Sequence, residues 1–201
     1  MFSLFIFVSS AEPVVDFCVA DFNYPVGPAG YPCKNSAKVT ADDFVYSGLS
    51  AAGNMSNVFK LGLSSAIDLT FPALNGLGIG MIRADIGVGG VVPLHSHRVS
   101  EIIYVVDGTV TAGFMGSDNK AYYKTVKKGD VMVVPPSLYH FSVNVGNTPA
   151  TLIASWNSAN PGIHTVTTSI AANNLPTDVI QKTTLLDATQ IEKLKKMFGG
   201  K

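Results

Sequence analysis

Little in this chain carries charge. Only 14% of its 201 residues are Asp, Glu, Lys or Arg, and 14 basic residues stand against 14 acidic ones. A net charge of zero leaves no electrostatic footprint for nucleic acid or for an anionic membrane surface. Disorder is excluded by the same scarcity, because disordered chains combine high charge with low hydrophobicity, and here 47% of residues are hydrophobic. Long apolar runs are missing as well: none reaches the roughly 18 to 20 residues that cross a bilayer as a helix. Cysteine is limited to Cys18 and Cys33, which lack the C-x-x-C spacing of a redox motif or zinc knuckle. Histidine is limited to His95, His97, His140 and His164.

What is present is turn-forming residue. Nineteen glycines and eleven prolines are spread along the chain, which reads as many short strands joined by turns. The length is that of one domain, with at most a short appendage. With so little charge, the chain either covers its core well or buries part of its surface in an oligomer.

Three zones and a leader follow from the pattern. Phe2 to Val8 is apolar and is followed by Ser9, Ser10 and Ala11, as in the hydrophobic region and cleavage site of a secretory signal. Residues 1–11 are therefore read as a signal peptide, truncated in that no Lys or Arg precedes the apolar stretch; a buried N-terminal strand is the alternative. Residues 12–55 form an irregular arm, whose turn-rich stretch between Cys18 and Cys33 can bring the two thiols together. Closing about 15 residues contributes about 3 kcal/mol; two free buried thiols are the alternative. Asn54-Met55-Ser56 is a sequon for N-glycosylation in a Gly/Ser/Asn-rich loop.

From 56 to 170 the pattern is strand-like, with short apolar or alternating runs at Gly78 to Asp85, Glu101 to Val106, Thr109 to Phe114, Val131 to Val134 and Thr151 to Ser155. Turns every 8 to 12 residues point to a sandwich or barrel, an all-β fold. Residues 171–201 change period. A helical turn or two is expected over Pro176 to Gln181. Asp187 and Gln190 make a capping box, Ile191, Leu194, Met197 and Phe198 fall at helical spacing, and Gly199-Gly200 ends the helix. Its apolar stripe packs either on the barrel or on another subunit.

The chemistry concentrates in three histidines and a glutamate. His95 and His97 lie two apart, so an extended segment aims both to one face, and Glu101 shares their parity. His140 follows the Lys127-Lys128-Gly129-Asp130 turn and a strand, whose antiparallel return can bring it opposite the first pair. Three imidazoles and one carboxylate leave an octahedral ion two open positions, the arrangement of a working metal site rather than a closed structural one. Surface histidines on a loop after Pro93 are the alternative.

Two longer motifs carry a family resemblance. Gly89 to Gly108 (GGVVPLHSHRVSEIIYVVDG) resembles the first cupin motif, and Gly129 to Asn144 (GDVMVVPPSLYHFSVN) resembles the second. The whole chain is similar to plant germin-like proteins, including the Cys18/Cys33 arm, Asn157 to Gly162 (NSANPG) and the C-terminal helix. Asp16 to Ala20, Phe44 to Gly48 and Ala112 to Asn119 are most like the germin-like subgroup described as auxin-binding. The resemblance implies a cupin jelly-roll β-barrel with a C-terminal α-helical extension, a homo-oligomer that is a hexamer built as a trimer of dimers, and a secreted protein of the apoplast and cell wall. It also implies a manganese ion on His95, His97, Glu101 and His140. The residues alone do not select that metal: iron, zinc or copper would accept the same set.

Two departures stand out. Only three residues, Arg98 to Ser100, separate His97 from Glu101, where germin-like proteins usually have four. Ser137 replaces the glycine of the second motif's Pro-x-Gly, at a turn that favours positive φ. His164 matches no ligand position and is read as a plain strand residue.

The resemblance supports three functions. Superoxide dismutase-like activity of a manganese protein leads. A small-molecule binding protein is next, with a carboxylate such as auxin at the metal and walls expected from Met81, Ile103, Phe114, Val134 and Phe141. Oxalate oxidase, the activity of true germins, is third. It uses two pocket asparagines, and of these Asn75 matches one while Val92 replaces the other. Arg83 and Arg98 are the only arginines.

Overall fold

The computed structural model describes residues 16–201. The leader expected over residues 1–11 lies outside them. Among the described residues, ten strands are β1 Leu61–Ala66, β2 Gly80–Ile86, β3 Val91–Ser96, β4 Glu101–Asp107, β5 Thr109–Met115, β6 Ala121–Lys127, β7 Val131–Val134, β8 His140–Asn144, β9 Ala150–Trp156 and β10 His164–Thr165. Three helices follow: α1 Val166–Ala171, α2 Thr177–Thr184 and α3 Ala188–Phe198. The strands form two five-stranded antiparallel sheets, ordered β1-β2-β9-β4-β7 and β10-β3-β8-β5-β6. This is the all-β jelly roll with helices at its C-terminal end.

Alternation decides which side chains face between the sheets. Along β4, Glu101, Ile103 and Val105 are buried while Ile102 and Tyr104 are exposed. Strand β9 buries Ala150, Leu152, Ala154 and Trp156 at every second position. Ala150, Leu152 and Ala154 join Ile86, Val110 and Val134 in one core between the sheets. Each fully buried Ile or Val there contributes about 1.5–3 kcal/mol relative to exposure. Gly108 turns β4 into β5 at φ +88, where a Cβ would stand 2.6 Å from that of Ala150. Asn144 closes the far end: its buried amide Nδ2 lies 2.8–3.1 Å from the carbonyls of Ile86, Gly87 and Thr148, and its Oδ1 accepts from Gly146 N–H.

The arm is irregular, with 3-10 turns at Ser36–Lys38 and Ala41–Phe44. Cys18 and Cys33 form a disulfide. Asn54 is exposed, and its Oδ1 accepts from Ser56 N–H.

At the other end of the chain the helices start at Val166, earlier than the period change at 171 suggests. α3 has the expected Asp187/Gln190 capping box and stops at Gly199. Its Ile191 is buried where α3 packs on α1 and α2, and Phe198 stacks on Phe59. Part of the stripe therefore packs within the chain, while Met197 remains exposed. Lys195 belongs to the buried side, donating to the carbonyls of Leu175 and Lys201.

Candidate metal centre

β3 and β8 lie side by side with His95 directly opposite His140. His97 follows just past the end of β3, and Glu101 opens β4 in the facing sheet. All four side chains are buried, and one ligand atom from each lies within 4.8 Å of the others. The pairing with β3 is made by β8 itself, which His140 begins, rather than by the earlier strand β7.

Hydrogen bonding fixes which ring nitrogen faces inward. Nδ1 of His95, His97 and His140 lies 2.8, 2.6 and 3.0 Å from the carbonyls of Pro93, Gly162 and Leu138. A carbonyl only accepts, so each Nδ1 carries the proton and each Nε2 presents a lone pair to the centre. His140 Nε2 then stands 2.7 Å from Glu101 Oε2, and neither atom makes a hydrogen bond; His97 Nε2 is unpartnered too. Lone pairs that converge without a proton between them repel unless a cation sits among them. Burial lowers the pKa of His95 to about 4, helped by the neighbouring His140, and burial also lowers that of His97. Neutral imidazoles are the ligand form, so the donor set fits a divalent metal.

The four ligands open into a cavity of about 280 Å³. Its walls include Ile82, Ala84, Val92, Ile103, Leu152 and Trp156. Beyond the ligands, side-chain polarity comes from Ser65, Ser142, Asn160 and the indole of Trp156.

Several expected wall residues do not line this cavity. Ile103 does. Met81 lies on the outer face, Phe114 and Val134 pack in the core directly across from His140 and Glu101 without lining the cavity, and Phe141 points opposite to its neighbours His140 and Ser142. Asn75, expected in the pocket, is not there either. Its buried amide accepts from Tyr31 N–H and donates to the Tyr31 carbonyl and to Cys18 Sγ, so it clamps the disulfide arm. Arg83 faces outward, paired with Asp85 and the carbonyls of Leu49 and Ser50. Val92 does line the cavity, and His164 is an exposed residue of β10. Gly162 and Trp156 were not singled out from sequence. The carbonyl partner of His97 is 65 residues away, which no local pattern encodes.

A jelly-roll barrel with three histidines and one glutamate turned inward defines a metal-binding cupin, and the cupin family profile matches residues 47–192. The chain is 52% identical to "Auxin-binding protein ABP19a" of Prunus persica over 99% of its own length and 96% of that protein's. It is 47% identical to "Germin-like protein" of Morus alba over 100% and 96% of the two chains. A solved oxalate oxidase superposes with a TM-score of 0.87 at 36% identity, covering 93% of this chain and 96% of that one. The chain belongs to the plant germin-like proteins of the cupin family, with the auxin-binding-type members among its relatives.

Proposed function

We propose that the protein is a secreted manganese germin-like protein with superoxide dismutase-like activity. The observation that carries this is the buried set of three histidines and one glutamate, whose unpartnered lone pairs open into an apolar cavity. Manganese held by His95, His97, His140 and Glu101 supplies one-electron redox chemistry when bound. The chain's own part is to aim three imidazoles inward through their Nδ1–H bonds, while burial favours the neutral form of His95 and His97. Glu101 adds the single negative charge, and the apolar walls limit access to small species. Two superoxide ions and two protons yield dioxygen and hydrogen peroxide. The disulfide supports an oxidising compartment, in keeping with the leader read over residues 1–11 and a glycan on Asn54.

Oxalate oxidation is disfavoured. The cavity wall offers oxalate no guanidinium, and Val92 stands on it at the position where the resemblance to true germins calls for a pocket asparagine. A second reading draws on the same walls: a monocarboxylate with a flat apolar body, such as auxin, would place its charge at the metal and its ring on the apolar side. The 52% identical relative bears the name of an auxin-binding protein.

A homo-oligomer is part of the proposal. Met81, Ile102, Tyr104, Val131 and Val133 share the outer face of the β1-β2-β9-β4-β7 sheet and are all exposed. An exposed apolar face of this kind favours association between subunits, and the resemblance to germin-like proteins makes the assembly a hexamer of the 21.2 kDa chain. Sedimentation of a lone monomer at micromolar concentration counts against it.

Metal analysis of protein secreted without chelator, paired with a superoxide-consumption assay, tests the leading function. Stoichiometric manganese with turnover that disappears in Glu101→Gln is the expected result. Manganese without turnover, together with metal-dependent heat on titrating indole acetic acid, transfers the assignment to the binding protein.

A further inference from the structure

Two of the three ligand histidines are oriented from within their own segments. His95 bonds the carbonyl two residues before it, and so does His140. His97 alone depends on a distant group, the Gly162 carbonyl on the loop of residues 157–162. Its ring is only as well aimed as that loop is well placed.

Arg98, the residue after His97, holds the loop. Its Nη2 donates to the Asn160 carbonyl at 3.1 Å, and its backbone N–H donates to the Pro161 carbonyl at 3.3 Å. The guanidinium also lies across the open face of Gly162, 3.1–3.4 Å from where a Cβ would stand. Gly162 has φ +63, so glycine is favoured there both by conformation and by this contact. Beyond the loop, β10 pairs His164 with Ser96 and Thr165 with His95, returning the chain to the strand that carries the ligands. The same loop lines the metal cavity with Asn160, Pro161 and Gly162.

We infer that Arg98 is a positioning residue for the metal centre: by gripping the 157–162 loop it keeps the Gly162 carbonyl on His97 Nδ1 and so keeps Nε2 on the metal. The inference rests on the metal-site reading above. Partners that orient a metal-bound histidine typically contribute about 10–100-fold in metal affinity, and Arg98 acts one bond further out, so about 10-fold is expected. Its exposed side chain makes the substitution compatible with folding.

The test uses the full chain and Mn2+ alone. Dissociation constants and the electron paramagnetic resonance spectrum of bound Mn2+ are compared for the wild type, Arg98→Ala, Arg98→Lys and Arg83→Ala. Hydrogen exchange reports residues 157–163. Arg98→Ala is expected to raise the dissociation constant about 10-fold, change the spectrum and speed exchange at Asn160, whose N–H donates to Ser158 Oγ. Arg98→Lys, able to donate but not to lie flat on Gly162, is expected in between. Arg83→Ala, whose guanidinium serves the outer face, is expected to lower thermal stability with affinity and spectrum unchanged. Wild-type affinity and spectrum in Arg98→Ala overturn the inference alone, as does an equal loss of affinity in Arg83→Ala. Failure of the wild type itself to bind overturns it together with the metal-site reading.

Discussion

Ser137 stands in left-handed backbone, φ +66, in the turn between β7 and β8. The turn cannot easily relax, because Ser137 N–H donates to the His97 carbonyl and the next carbonyl, Leu138, holds His140 Nδ1. An L residue held left-handed costs about 1–2 kcal/mol, whereas glycine there adds about 0.4–1 kcal/mol of unfolded-chain entropy, so Ser137→Gly gains about 0.5–1 kcal/mol. For a chain of this size that raises Tm by about 1–4 °C. No hydrogen bond from the Ser137 hydroxyl is found among the described residues, so none is lost. Ser137→Ala is the matched control: it removes the hydroxyl, keeps the Cβ and the strain, and should stay within about 0.5 kcal/mol of the wild type. Calorimetric melts of metal-loaded protein at one scan rate read both. A Ser137→Gly melting temperature no higher than that of Ser137→Ala would refute the strain argument.

Three further outcomes are expected. Burial raises the pKa of Asp85, but hydrogen bonds from Arg83, Gly53 N–H and Thr151 outweigh it and hold the carboxyl below its usual range. The folded value therefore lies below the unfolded one, so the stabilisation is present above about pH 4 and fades as pH falls through the folded value. Asp85→Asn should be less stable than wild type at pH 7, with the gap in urea midpoint closing below about pH 4; a gap independent of pH contradicts this. Asn144→Ala removes the amide whose two N–H protons serve the buried Ile86 carbonyl and those of Gly87 and Thr148, and the acceptor of Gly146 N–H; it should lose roughly 2–4 kcal/mol in urea unfolding, a loss under about 1 being incompatible with the role assigned. Mn2+ at 100 times its dissociation constant should stabilise the folded chain by about 2.7 kcal/mol over chelated protein, a gain that Glu101→Gln should abolish.

The ligand tetrad was legible because its spacing is local: His95, His97 and Glu101 fall between the end of β3 and the start of β4, and His140 follows a readable turn and strand. The Asp187/Gln190 capping box and the strands β2, β4, β5, β7 and β9 were legible for the same reason. Strand β6 was not, since Ala121 to Thr125 are exposed at an edge and show no alternation. Asn75 was misplaced because its partners, Tyr31 and Cys18, lie 44 and 57 residues away. The walls went astray by phase. On β2 the inward residue is Ile82 rather than Met81, and a one-residue shift exchanges the faces of a strand. On β8 the phase was available from sequence: an inward His140 forces Ser142 inward and Phe141 outward.

The cavity chemistry ties the two functional readings to one space. Its wall residues other than the metal ligands offer two serine hydroxyls, one amide and an indole, with no cationic side chain. A ligand must therefore satisfy its charge at the metal end and bring little polarity elsewhere, since an unpaired buried polar group costs about 1–3 kcal/mol. Superoxide meets that condition by being small, and an aromatic monocarboxylate meets it by carrying its charge at one end only. The loop that Arg98 grips thus bears on both: its Gly162 carbonyl orients His97 toward the metal, and its Asn160 and Pro161 line the space through which either ligand must pass.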